Sequence, residues 1–380
     1  MSVKRQVTRG CVESVLRQYE MRSSLLDAVP YGSGHINDTL ALRVDQAGSP
    51  LRYILQRING QIFRDPPAVM ENITRVTRHI AKQWEGHPDA TRRTLTIVPT
   101  LEGAAFARDE RGDCWRLYLF IEDARTYDII DSPARAQAAA QAFGFFMRQL
   151  ATLPAAELHE TIPNFHNTPA RLAALKRAIQ EDRSGRAASA RAEIEFLLSR
   201  EEDAHRLLGL HHAGRLPLRV THNDCKLNNV MIDDATGEGI CVIDLDTVMP
   251  GLALYDFGDM VRTATSPAAE DEKELSRVQM QLPMFEALLT GFLAGAGSML
   301  TSEEVAQLPF AGKVITMETG IRFLTDFLDG DPYFRIARPE HNLDRCRTQR
   351  RLVQSIEEQE SAMHGALDRA VGKMSNMVAS

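Results

Sequence analysis

Val220-Thr-His-Asn-Asp-Cys-Lys-Leu-Asn-Asn-Val-Met-Ile-Asp233 decides how this chain is read. It carries His222, Asp224 and Asn229 in the pattern H-x-D-x-x-x-x-N, and fifteen residues after Asn229 stands Asp244, in Val242-Ile-Asp-Leu-Asp246. A carboxylate that can take or orient a hydroxyl proton, then an amide and a carboxylate that can hold a metal, is the order of groups in a kinase-like phosphoryl-transfer site. The spacing alone is a modest signal. The apolar run Ile240-Cys-Val-Ile243 strengthens it, because a carboxylate at the end of a buried strand is costly unless it is paired or binds metal. Asp224 is therefore the expected base, and Asn229 and Asp244 the expected Mg²⁺ ligands. Asp246 falls on the same side of an extended chain as Asp244 and is assigned to a second Mg²⁺ or to the substrate. His222 is read as fixing the loop. Lys226 either meets the transferred phosphoryl group or is solvated. Cys225 has no activating partner in view and is read as inert.

A second aspartate competes for the metal role. Tyr255-Asp-Phe-Gly258 spells the magnesium motif of protein kinases, but Asp256 lies 32 residues beyond Asp224, against 20 for Asp244. It follows Met249-Pro-Gly251 and not an apolar strand. Asp256 is read as an anchor between the following helix and the catalytic loop.

Upstream, Tyr31-Gly-Ser-Gly-His-Ile-Asn37 is a glycine turn followed by the alternating run Thr39–Val44. Gly-x-Gly lets backbone N–H groups approach phosphate oxygens. Because a strand follows it and not a helix, the turn is neither a P-loop nor a dinucleotide fingerprint. Ser33 and Gly34 are the expected phosphate contacts, and His35 and Asn37 are placed to point into a cleft. Leu51–Ile58 completes a hairpin with Thr39–Val44. A cation on the second or third strand is needed for the α/β-phosphates, and Arg57 is the first candidate. Glu71, on the next helix, is its expected partner. Lysine is the usual residue there, so Arg57, or the neighbouring Gln56, is a departure.

The order of elements then gives the fold class. An opening helix is read over 11–28, from Val12, Val15, Leu16, Tyr19, Leu25 and Leu26. Asp65-Pro-Pro67 starts a helix with Val69, Ile73, Val76 and Ile80 on one face. Ile97–Leu101 and Cys114–Ile121 read as strands. From Ser132 the pattern is mostly helical, with 181–203 as an exposed helix. The chain is expected to be α+β, with a two-lobed, protein-kinase-like plan. A small lobe of antiparallel sheet plus helix spans 1–121 and binds the nucleotide. A hinge spans 122–126, with Ile121 at its edge among the nucleotide contacts. A larger, mainly helical lobe spans 127–380.

Composition narrows the partners. A net charge of −7 argues against nucleic acid, which asks for a basic face. The five cysteines are scattered and form no C-x-x-C pair, which speaks for a reducing, cytoplasmic setting and against a zinc or disulfide framework. No apolar run stands behind the N-terminus as in a secretory signal. Leu282–Leu300 is the most apolar stretch. Pro283, Glu286 and three glycines interrupt it, so it is read as a packed helix and not a membrane span.

His222-Asn-Asp…Asn229 with Ile243-Asp-Leu-Asp246 resembles the aminoglycoside phosphotransferase family, small-molecule kinases that place the metal aspartate in I-D-x-x and often carry Y-D near Tyr255-Asp256. Several stretches resemble one branch, the N-acetylhexosamine 1-kinases. They are Tyr31–Asn37, Leu55–Asn59, Met70–Ile73, His222–Lys226, Val242–Pro250, Gly320–Leu328 and Gly330–Tyr333. What the resemblance implies is transfer of the ATP γ-phosphate, with Mg²⁺, to the anomeric hydroxyl of GlcNAc or GalNAc. It further implies that Arg322 and Tyr333 contact the sugar beside Asp224, His35 and Asp246. Read from the residues alone, Arg322 and Asp326 form an i,i+4 surface pair, and Tyr333 is core. The expected partner is a small-molecule sugar, for a monomer or weak homo-oligomer. Alternatives are a related kinase for another hydroxyl, on an amino alcohol, aminoglycoside or other sugar, and a nucleotide-binding pseudokinase.

Overall fold

A computed structural model describes residues 7–379 except Arg22, Ser33, His35, Ile129 and Ile130; for 374–379 it describes only the helical backbone. The first lobe opens with helix α1 (Arg9–Leu16), capped by Thr8. Strands β1 (Ser24–Pro30), β2 (Asp38–Gln46), β3 (Ser49–Arg57), β4 (Ala107–Arg108) and β5 (Cys114–Leu119) form one antiparallel sheet in the order β1-β2-β3-β5-β4. The helix expected over 11–28 therefore ends early. Leu25 and Leu26 lie in an edge strand that pairs with β2 across the glycine turn. Pairing with a neighbouring strand overrides the local period here. Ile97–Leu101 is not a strand either. Val98 N–H donates to the Leu117 carbonyl at 2.8 Å, but Pro99 has no N–H to continue a ladder.

The sheet has two unlike faces. Leu42, Val44, Tyr53, Leu55, Trp115 and Leu117 pack under α1 around Val12 and Val15. The other face, carrying Gln56 and Arg116, looks toward helix α2 (Pro66–Gln83) and the cleft. Asp65 caps α2 through the Ala68 N–H, and two prolines open it.

β5 runs into the connection to β6 (Ala124–Arg125). Arg92 holds this connection. It donates to the carbonyls of Glu122 and Asp123, each at 3.1 Å, and to Asp233 at 2.7 Å. The second lobe follows as α3 (Pro133–Gln149), α4 (Thr168–Glu181), α5 (Arg191–Leu198) and α6 (Glu201–His212). The single helix expected over 181–203 is broken: Asp182 (φ 34°) and Gly185 (φ 67°) turn the chain in the left-handed region after α4. β7 (Arg219–Thr221), β8 (Val230–Asp233), β9 (Gly239–Val242) and β10 (Met249–Gly251) form two small sheets, β7 with β10 and β8 with β6 and β9.

Helices α7 (Ala253–Ala264), α8 (Leu282–Ala296), α9 (Ser302–Leu328), α10 (His341–Glu358) and α11 (Glu360–Ala379) complete the lobe. The apolar stretch read as a packed helix is α8, which lies against α3 and α11. Its glycines explain the packing: a Cβ at Gly291 would strike the Gln137 carbonyl, and one at Gly295 the Gln141 carbonyl. From the α3 side, a Cβ at Gly144 would strike the Phe292 carbonyl. On its other side α3 supports β9, where a Cβ at Gly239 would come within 2.7 Å of Ala142.

Candidate active site

The catalytic loop leaves β7 at Thr221 and is held from two sides. From behind, Asp256 on α7 accepts the backbone N–H of His222 at 2.9 Å and that of Asn223 at 2.7 Å. The DFG look-alike is thus inside a helix, and Asp256 is the anchor the sequence suggested. Gly258 of the same triplet lets α7 meet α9, since a Cβ there would strike the Ala311 carbonyl. From the other side, His166 bonds the Asn223 carbonyl through Nε2 at 3.0 Å and Glu318 through Nδ1 at 2.8 Å. A ring whose two nitrogens both meet acceptors carries two protons. Burial works against that charge, but Glu318 raises the His166 pKa above its ordinary value. Glu318 is lowered in turn: its burial is outweighed by His166 and by the Thr168 hydroxyl, which donates at 2.6 Å.

Asn223 takes a left-handed conformation (φ 65°), which presents Asp224 at the cleft. Lys226 stands 3.1 Å from the Asp224 carboxylate. Burial pushes Asp224 up, yet Lys226, His222 and Arg262 together hold it below the usual carboxylate range. The group is ionised at neutral pH and able to accept a proton. His222 lies against Phe143 and Phe146 and joins its Nε2 to the Ile243 carbonyl at 2.9 Å. It ties the loop to the next motif, as expected of a structural residue. Burial keeps the Cys225 thiol well above its ordinary pKa, which fits an inert side chain.

Asn229 donates through Nδ2 to the Asp224 carbonyl at 2.9 Å, and its own carbonyl accepts from the Ile243 N–H at 2.9 Å. The amide oxygen has no hydrogen-bond partner among the described residues. Asp244 follows Ile243 and is itself left-handed (φ 58°), a conformation aspartate tolerates better than most residues. Its carboxylate makes no hydrogen bond or ion pair among the described residues. It is open to the cleft, yet deep among protein atoms. Desolvation first, then Asp246 and Asp224, push its pKa up to about 6. An unpaired carboxylate and a free amide oxygen are hard donors that suit Mg²⁺, which keeps several waters and binds few protein groups.

Three expected roles meet other geometry. Arg57 does not face the cleft. It lies on the α1 side of the sheet beside Trp115, with Nη2 2.6 Å from Asp38 and Nη1 3.5 Å from Asp113. Glu71 is exposed and bonds His159 at 2.7 Å, so it does not orient Arg57. Asp246 is 2% exposed and both its oxygens are engaged, by Asn37 Nδ2 at 2.6 Å and by Arg116 Nη1. It is a node between the lobes and not an open substrate contact. Asn37 does point into the cleft, as its place in the glycine turn suggested. Ser33 and His35 lie outside the described residues. Gly34 is described, and nothing lies within 4 Å of where its Cβ would be. Ile121 is buried against Ala124, Met231, Ile240 and Cys241, beside the hinge segment.

Arg116 was missed in the sequence. It stands in Cys114-Trp-Arg-Leu-Tyr-Leu119, a charge in a buried alternating run. The cost argument that singled out Asp244 applies equally to it.

Beyond the loop, Arg322 lies between two aromatic rings, 5.6 Å from the Phe165 centroid and 5.4 Å from that of Phe334. Tyr333 is 60% exposed and packs edge-on against Phe334, so it is not core. Asp326 uses its oxygens on the Tyr333 and Phe334 N–H groups, at 2.8 and 2.9 Å, and on Asn342. It builds the turn that carries Tyr333 and forms no pair with Arg322. A cavity of about 240 Å³ adjoins the loop, lined by Lys226, Asn228, Arg262, Glu270, Thr348 and Gln349 among others. Asn228 Oδ1 and Gln349 Oε1 are buried there without a hydrogen-bond partner among the described residues. Both can accept from a hydroxylated ligand.

The sequence profile of the Phosphotransferase enzyme family matches residues 27–288. The fold is similar to that of an aminoglycoside phosphotransferase from Alicyclobacillus acidocaldarius subsp. acidocaldarius DSM 446. That match has 14% identity and a TM-score of 0.57, over 99% of this chain and 98% of the other. A spectinomycin phosphotransferase solved with ADP and spectinomycin is similar at 12% identity and a TM-score of 0.53, over 94% of this chain and 99% of the other. Choline kinase from Cryptosporidium parvum Iowa II is similar at 13% identity and a TM-score of 0.51, over 90% of this chain and 91% of the other. At such identities the likeness is one of fold, the two-lobed α+β plan.

Proposed function

We propose, from the premise that this chain belongs to the Phosphotransferase enzyme family, that it transfers the γ-phosphate of ATP to the anomeric C1 hydroxyl of an N-acetylhexosamine. The observation that carries the transfer is the loop itself: an ionised Asp224, an Asn229 with its amide oxygen spare, and an unpaired Asp244, joined through Ile243. This intact set also speaks against a pseudokinase.

The choice of acceptor rests on the resemblance and on charge. Aminoglycosides and choline are cations, and a site for them calls for acidic walls. Here Arg322 lies between Phe165 and Phe334 beside the exposed Tyr333. Glu318, which feels the charge of Arg322, is matched by His166, and Glu270 on the cavity wall is matched by Arg262 at 3.2 Å. An arginine and aromatic rings suit a neutral sugar with an amide substituent better than an ammonium group.

Phosphoryl transfer passes through a loose transition state, so positioning and charge neutralisation do most of the work. Asp224 holds the C1 hydroxyl in line and takes its proton. That demand is light, because an anomeric hydroxyl is more acidic than a simple alcohol. Lys226, on the same carboxylate, is within reach of the moving phosphoryl group. Asn229 and Asp244 would hold Mg²⁺, which when bound supplies charge neutralisation to the phosphates. Gly34, with no Cβ, would let them approach its backbone.

The test is ADP release with N-acetylhexosamines, plain hexoses, choline and aminoglycosides. Release with GlcNAc or GalNAc, and a sugar 1-phosphate as product, is the expected result. Release with choline or kanamycin but with no N-acetylhexosamine would overturn the acceptor assignment.

A further inference from the structure

The usual plan of this fold puts the phosphate-binding cation on the third strand and an acid on the next helix. Among the described residues no such pair forms, since Glu71 bonds His159. On this face of β3 stand Gln56, Ile54 and Arg52; Arg52 is taken up by Glu122 and the Phe120 ring, and Arg57 points to the opposite face of the sheet. Directly across from Gln56, on β5, stands Arg116. We propose that Arg116 is the cation that binds the nucleotide phosphates, carried on β5 in place of β3 and held by Gln56 and Asp246. This rests on the phosphotransferase reading of the same cleft.

The donor inventory supports it. Arg116 Nε donates to Gln56 Oε1 at 3.0 Å, and Nη1 donates to Asp246. Nη1 also lies 3.9 Å from Met70 Sδ on α2. Nη2, with two N–H groups, has no partner among the described residues. The guanidinium is only 1% exposed, yet Nη2 is not one of the fully buried unpartnered atoms, so this arm keeps contact with solvent and can receive an incoming acceptor. Its setting selects the acceptor. Arg116 bonds Asp246, two residues beyond Asp244, so the guanidinium stands at the Asp244 end of the cleft. A phosphate chain held by a metal at Asp244 would come near this arm. The planar fork of arginine suits phosphate oxygens. Gln56 is fixed in turn, because its Nε2 donates to Thr39 Oγ1 at 2.9 Å. The holder has also changed: Asp246, on the turn after the metal aspartate, takes the place of a helix glutamate. Asp246 is bonded to Asn37 as well, so one carboxylate sets the cation and the end of the glycine turn together.

The experiment is calorimetric binding of MgADP and of adenosine, without any acceptor. Removing Arg116 alone would strand a buried Asp246, so the variant is Arg116→Met with Asp246→Asn, beside Asp246→Asn alone. The expected result is MgADP binding at least about tenfold weaker in the double variant than in Asp246→Asn, with adenosine binding unchanged. Arg116→Lys should lie between. Adding Gln56→Lys to the double variant should recover MgADP binding by returning the cation to β3. Equal losses for MgADP and adenosine, or no loss for MgADP, would overturn the proposal. Since no sugar is present, failure of the N-acetylhexosamine assignment leaves this result untouched.

Discussion

Asp244 and Asp256 stand 12 residues apart and illustrate opposite uses of one side chain. Asp256, the aspartate of the DFG triplet, is buried in α7 and spends both oxygens on backbone N–H groups of the catalytic loop. Asp244 follows β9 in a left-handed turn and binds nothing among the described residues. The first is satisfied and the second is poised. A carboxylate accepting two amide donors has little left for a metal, whereas an unpaired one crowded by Asp246 and Asp224 gains from a cation. Three matching letters point to Asp256, whose oxygens are spent; the preceding strand points to Asp244, the aspartate proposed to hold the metal.

The contrast breaks most directly at Asp244. Asp244→Asn preserves the left-handed turn and should lower Mg²⁺-dependent turnover by about a thousandfold or more, with Tm nearly unchanged. Asp224→Asn should also cut kcat by orders of magnitude, leaving calorimetric MgADP affinity little altered. A variant with near-wild-type turnover would sink the base assignment. Asp256→Asn should act mainly on stability, because charge-assisted bonds to two buried N–H groups are worth about 1.5–3 kcal/mol each. Tm should fall by several degrees in thermal unfolding, while low-temperature kcat stays within about tenfold. If Asp256→Asn abolished turnover and Asp244→Asn only lowered Tm, the roles would be reversed.

The His166–Glu318 pair sharpens the picture, since it holds the same loop by a carbonyl. Glu318 is lowered, so its contribution is present above its ordinary 4.5 and fades as pH falls through the folded value. His166 is raised, so its contribution is full below its ordinary 6.5 and fades as pH rises through the folded value. The Tm deficit of Glu318→Gln should therefore be greatest between pH 4.5 and 6.5. A deficit independent of pH would mean that packing, not charge, holds this side. The smallest effect belongs to Arg57→Gln, which should leave MgADP affinity unchanged and cost a little Tm.

The two lobes differ in how much their sequence discloses. The catalytic loop, the metal turn and α2 are local: caps, glycines and apolar runs sit beside the residues they organise, so Asp224, Asn229, Asp244 and Asp65 are legible from spacing. The first lobe is decided across strands. Whether Arg57 or Arg116 faces the cleft depends on which face of the sheet α1 covers, and nothing near either residue states that. Leu25 and Leu26 fit a helical period as well as an edge strand until β2 is in place. Asp246 looks free in Ile243-Asp-Leu-Asp246 because its partners, Asn37 and Arg116, come from distant segments of the chain.

The glycines between α3 and α8 have a consequence far from their own contact. α3 carries β9 on its other flank, so the separation of the two helices fixes the height of the strand that leads into Asp244. Gly144, Gly291 and Gly295 act as a gauge, and a single added methyl there works as a shim. A metal ligand must hold its place within about half an ångström. Substitutions along this seam would thus detune catalysis in a protein whose cleft is chemically intact. Tolerance to mutation here follows the stack of layers beneath the site, not the distance from the substrate.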